Sequence, residues 1–205
     1  MKILQVKEND KKKQMLDLYF EQGDVVTVYD EDYYGMHLYE KEEFTSSDIN
    51  KIVKVTNEKL GRMYAIKMIT YRKRTKKEVE NKLQEKGIDE ESIENVIRKL
   101  EQDGYIDDYM YATKLIKKMK EQNKSKKQIE VEFTIKGLTD DKIRALLDEY
   151  NFDEVALKKL FEKRFKDKDL TDEKSRIKAY NFFRNKGFDY ETISKYIKIW
   201  KRTFF

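Results

Sequence analysis

The chain has 205 residues, 39% of them hydrophobic and 41% charged, with a formal net charge of +5. That apolar share supports real cores, while the lack of cysteine excludes a disulfide framework, thiol catalysis and thiolate metal sites. Charge arrives at Lys7-Glu8, too early for a secretory signal, and no apolar run approaches membrane-spanning length, so a cytoplasmic protein with no membrane partner is expected.

Residues 1–44 alternate with a period of two. Ile3 to Val6, then Leu16, Leu18 and Phe20, then Val25 to Tyr29 read as short antiparallel strands, with a turn at Gln22-Gly23-Asp24. Asp30-Glu31-Asp32 reads as a further turn into Tyr33 to Tyr39, so that three or four strands are expected in all, the fourth carrying His37, the single histidine. No catalytic partner stands near His37, so a structural role is expected for it. Thr45-Ser46-Ser47-Asp48 then caps a helical stretch, interrupted near Gly61 and reaching Arg72.

From there the chain repeats itself every fifty residues. Lys86-Gly87, Lys136-Gly137 and Lys186-Gly187 coincide. So do Thr75, Ser125 and Ser175; Val79, Ile129 and Ala179; Leu83, Phe133 and Phe183; and Ile93, Ile143 and Ile193. Val96, Leu146 and Tyr196, then Ile97, Leu147 and Ile197, then Leu100, Tyr150 and Trp200 extend the register. A period of this size marks a supersecondary unit that buries its apolar face by stacking.

Each repeat reads as two helices joined at the glycine. Thr75 with Glu78 and Ser125 with Gln128 make capping boxes, and Ser175 with Lys178 keeps only the cap. Asp89, Thr139 and Asp189 are placed to cap the following helix. A preceding helix is marked by Ala65, Met68 and Ile69, by Ala112, Leu115, Ile116 and Met119, and by Ala156, Leu160 and Phe161, with a lengthened loop around Lys166 to Lys174. The expected fold is mainly α. A β-rich extension (1–44) and a connecting helix (45–57) precede three tandem three-helix repeats at 58–104, 105–151 and 152–205, which form an elongated array.

No Walker-type, dinucleotide-binding or nucleophile-elbow motif occurs, and no enzyme chemistry, cofactor or metal is expected. Asp107-Asp108 suits a helix cap and its dipole better than a metal. The remaining signal is basic. Residues 71–205 carry 34 Lys/Arg against 27 Asp/Glu, whereas residues 1–70 carry 11 against 13. Arg72, Lys73, Arg74, Lys76 and Lys77, then Lys124, Lys126 and Lys127, then Lys174, Arg176 and Lys178 all fall at the start of the repeat's second helix. Cations there oppose the helix dipole, so local stability did not select them. Stacking would align the clusters as a stripe for a polyanion or an acidic protein surface; the alternative is a merely solvated charge run. Of Tyr105, Tyr109, Tyr111, Phe133, Tyr150, Phe182 and Phe183, most occupy repeat positions and are expected in the core rather than as base-stacking platforms.

Tyr71-Arg72, Arg74-Thr75, Glu78-Val79, Leu83 and Lys86-Gly87 combine with Gly104-Tyr105-Ile106-Asp107-Asp108, Tyr111-Ala112, Ser125, Gln128-Ile129 and Lys136-Gly137-Leu138. Over about residues 58–205 this pattern resembles the RecX family, regulators of the bacterial RecA recombinase; the first 44 residues fall outside it. The resemblance implies a curved array of three-helix repeats, a monomer without catalytic residues. It would bind RecA filaments on single-stranded DNA and inhibit strand exchange, ATP hydrolysis and co-protease activity in recombination, repair and the SOS response, with direct DNA binding in some members. Two other readings fit the residues: a sequence-independent DNA- or RNA-binding protein, and an adaptor using an apolar concave face.

Overall fold

The computed structural model describes residues 1–149, 152–165, 168 and 170–204, without the side chains at 152, 153, 156 and 199–204. Tyr150, the side chains of Ala156 and Trp200, and part of the expected 166–174 loop lie outside the described residues. By contacts the chain divides into two units, residues 1–73 with 79–106, and residues 74–78 with 107–205.

In the first unit, β1 (Ile3–Glu8), β2 (Met15–Phe20) and β3 (Val25–Tyr29) form an antiparallel sheet in that order. Leu18 pairs with Val26 across β2 and β3, and both join Phe20, Val28, Leu38, Phe44 and Ile52 in a small core. The expected fourth strand is helical instead. The chain passes from Tyr29 straight into α1 (Asp30–Gly35), whose first turn holds the three acids that the dipole favours there. His37 follows in a left-handed conformation, φ 53°, ahead of a short 3-10 turn at Leu38–Glu40. Its ring is exposed, with Nδ1 3.5 Å from Glu40 Oε1.

Helix α2 (Ser46–Tyr71) starts in a capping box between Thr45 and Asp48 and runs unbroken past residue 57 and past Gly61. Gly61 is buried, and a Cβ there would stand 3.2 Å from Val96 Cγ2. The residue therefore lets a neighbouring helix approach closely; it does not break its own. With α3 (Lys76–Glu85) and α4 (Glu90–Gln102), α2 encloses a core of Leu60, Ala65, Ile69, Val79, Leu83, Ile93, Val96, Ile97 and Leu100. Met15 from the sheet is buried in that core, and Lys59 on α2 lies 3.1 Å from Asp32 and 4.7 Å from the Tyr29 ring centroid. The sheet thus buttresses the first three-helix group.

In the second unit, α5 (Asp108–Glu121), α6 (Lys126–Lys136) and α7 (Asp141–Asp148) enclose Ala112, Ile116, Met119, Ile129, Phe133, Leu138, Ile143 and Leu147. Helices α8 (Phe152–Phe165), α9 (Glu173–Asn185) and α10 (Tyr190–Phe204) enclose Leu157, Phe161, Phe165, Leu170, Ala179, Phe183, Phe188 and Ile193. The protein is mainly α-helical, built of three-helix groups behind a small N-terminal sheet.

Two caps differ from expectation, each because a carboxylate accepts hydrogen bonds more strongly than a hydroxyl. Asp140, not Thr139, caps α7 and accepts from Lys142 N at 2.8 Å. Asp172, not Ser175, caps α9 and accepts from Ser175 N at 2.9 Å. Asp89 caps α4 as expected, 2.9 Å from Ser92 N. Burial alone would raise the Asp89 carboxyl, but hydrogen bonds from Ser92 and Asn57 outweigh it and hold the group below the usual carboxylate range. A depressed native pKa contributes stability above the unfolded value, about 4, that is lost as pH falls through the native one. The thermal midpoint should hold down to about pH 5 and fall below it. Asp89→Asn keeps a capping oxygen without the titration, so it should shallow the acid limb; superimposable limbs would remove this carboxylate from the account.

Candidate partner and nucleic-acid interface

The repeated glycines do more than end helices. Gly137 (φ 70°) follows α6, and a Cβ placed on it would collide with the Cβ of Lys77. Fifty residues on, a Cβ on Gly187 (φ 85°) would stand 2.6 Å from Ser125 Oγ. Two quasi-equivalent junctions follow within the second unit, each seating the start of one repeat's middle helix on the Lys-Gly turn of the next. At the first, Thr75 Oγ1 donates to the Lys136 carbonyl at 2.8 Å.

Three charged groups brace that junction. Glu78 Oε1 lies 2.8 Å from Lys136 Nζ and 3.7 Å from Arg74, all three side chains being largely buried. Glu78 also closes the capping box, its amide donating to Thr75 Oγ1 and its carboxylate accepting from Thr75 N, both at 3.3 Å. Asp107 caps α5, 2.8 Å from Met110 N, whereas Asp108 accepts from Lys76 N at 2.9 Å and so caps α3 from outside it. Each of the paired aspartates thus holds a backbone amide. That contact offsets the cost of placing cations at the start of α3.

The basic residues accordingly divide. Arg74 and the stem of Lys77 belong to the first junction, and Lys126 pairs with Asp148 at 2.7 Å. Lys73, Lys127, Lys174 and Lys178 are exposed; Lys124 and Arg176 are half-buried, Arg72 is exposed and Lys76 half-buried. Because α9 starts at Glu173, the third cluster sits inside the first turn and a half of its helix, not ahead of it. Among the aromatics, Phe133 and Phe183 are core, and Tyr111 and Phe182 are half-buried. Tyr105 and Tyr109 are outside the core, 42% and 53% exposed. Sequence reasoning missed the junction roles of Glu78, Asp108 and Lys136. The lysine preceding every repeat glycine was the available signal for the last.

The chain matches family models for the first three-helix domain of RecX over residues 62–100 and for the third over residues 153–197. The regulatory protein RecX of Pelodictyon phaeoclathratiforme is 30% identical over 139 residues, a match covering 66% of this chain and 86% of that protein. The chain belongs to the RecX family. The regulatory protein RecX of Oceanobacillus iheyensis is 32% identical over 137 residues, spanning 65% of this chain but only 50% of that longer relative. A crystal structure of regulatory protein RecX shares the fold, with a TM-score of 0.62 at 23% identity over 96% of this chain and 98% of that one. The first RecX domain match ends at Leu100, so the Gly104 to Asp108 motif that supplies both aspartate caps follows immediately. No helix among the described residues is long and apolar enough to cross a membrane.

Proposed function

We propose that this RecX-family chain is a non-enzymatic regulator that binds RecA filaments on single-stranded DNA and inhibits recombinase, ATPase and co-protease activity. What supports this reading beyond family membership is the placement of Lys73, Lys127 and Lys174. Each belongs to a different basic cluster, each is exposed, and the caps and junctions around them leave these side chains to serve a partner. An inhibitor of this kind acts through differential affinity for filament states and needs no reactive group.

The test is RecA-catalysed ATP hydrolysis on single-stranded DNA, with the chain titrated below the recombinase concentration. Substoichiometric inhibition is expected. Lys73→Glu, Lys127→Glu and Lys174→Glu combined should weaken it by at least about tenfold, while substitutions at Lys77 and Lys126 would confound the result by disturbing the junctions. An unchanged triple variant would remove the basic clusters from the interface. If hydrolysis were unaffected at any ratio and salt-sensitive binding to bare DNA persisted, plain nucleic-acid binding would replace the proposal.

A further inference from the structure

The repeats act as internal controls for one another, and the middle helix of the second differs from both others at two neighbouring exposed positions. The middle helices share one burial register: positions 79, 129 and 179 are buried in all three, as are 83, 133 and 183. On the opposite, exposed face, the first repeat carries Asn81 and Glu85 and the third Asn181 and Asn185. The second carries Val131 and Ile135, 53% and 68% exposed. Polar residues satisfy the fold at these positions twice, so packing does not select apolar ones.

Val131 and Ile135 stand one turn apart on one face of α6, and Lys127 lies a turn before them on the same face, also exposed. A cation followed by two aliphatic side chains is a poor match for a phosphate backbone, which rewards cations but gains nothing from exposed aliphatic carbon. It complements a protein surface that offers a carboxylate beside an apolar depression, the manner in which an amphipathic helix is read through i, i+4 anchors.

We infer that the Lys127, Val131 and Ile135 face of α6 is a protein-docking surface specific to the second repeat, taking an acidic and apolar partner surface and not nucleic acid. This rests on the filament-regulator reading and assigns the recombinase protomer, not the DNA, to this helix. The full chain and a Val131→Asn/Ile135→Asn variant, which copies the third repeat at one position and both other repeats at the other, would be titrated onto preassembled RecA filaments on labelled oligothymidylate and onto the bare oligonucleotide. Ile135→Glu, copying Glu85, serves as a second variant should the first fold poorly. The expected result is a loss of about tenfold or more in filament affinity, with binding to the bare oligonucleotide unchanged. Equal filament binding by wild type and variants overturns the docking surface. A parallel loss on the bare oligonucleotide overturns it in favour of a nucleic-acid contact. If the wild type itself ignores filaments, the regulator reading fails and this assignment falls with it.

Discussion

Gly137→Ala should destabilise the second unit by about 2–5 kcal/mol, whereas Gly87→Ala should cost only about 1–2 kcal/mol. Both glycines are left-handed, at φ 70° and 77°, so both variants incur the steric cost of that conformation for an L side chain. They differ in surroundings. A Cβ on Gly87 meets nothing within 4 Å among the described residues, whereas one on Gly137 runs into the Cβ and Cγ of Lys77, atoms too close to their own backbone to swing aside. Gly187→Ala should fall between them, because the obstacle is a hydroxyl that can rotate. Rotation would remove Ser125 Oγ from the Gln128 amide 3.3 Å away and uncap α6. Denaturant unfolding of the three variants measures the order; equal losses at Gly87 and Gly137 would show that the Lys77 junction yields at little cost.

Ile93→Ala, Ile143→Ala and Ile193→Ala should each cost about 2–5 kcal/mol, as expected for emptying a buried aliphatic site. The three are at most 5% exposed and belong to three different cores, so each variant samples one three-helix group. Global melting would blur such local losses in a chain with several separate cores. Hydrogen exchange resolved to α4, α7 and α10 is the better measurement, with protection falling in the helix that carries the substitution. A neutral result at any one site would place the fifty-residue register wrongly in that group.

The junctions that set stability also carry several of the basic residues. Lys127 is within reach of Gly187, Lys77 lies on Gly137, and Lys126 holds Asp148. The first two basic clusters are therefore positioned by the junctions. A variant that loosens Gly187 should perturb the Lys127 surface as well as stability.

Much of this was legible in the sequence because it depends on near neighbours. The left-handed glycines, the boxes at Thr45, Thr75 and Ser125, the Asp89 and Asp107 caps and the stripe through Ile93, Val96, Ile97 and Leu100 are each decided within about four residues by backbone sterics and helical period. Where two local solutions competed, sequence reading erred. Tyr33 to Tyr39 had strand-like residues but acids placed for a helix start, and Thr139 and Ser175 each had a carboxylate close by that made the better cap.

What only the tertiary structure decided involves residues far apart. Gly61 reads locally as a helix breaker and becomes a packing notch only because Val96 arrives beside it. Asp108 caps an amide 32 positions away, and Thr75 reaches a carbonyl 61 positions away. Val131 and Ile135 are apolar, yet the structure leaves both exposed while Ile129 and Phe133 fill the buried face. Local sterics and period set which helices form and where they end; which of their faces meet is settled by the packing of distant segments, and no local pattern in this chain encodes it.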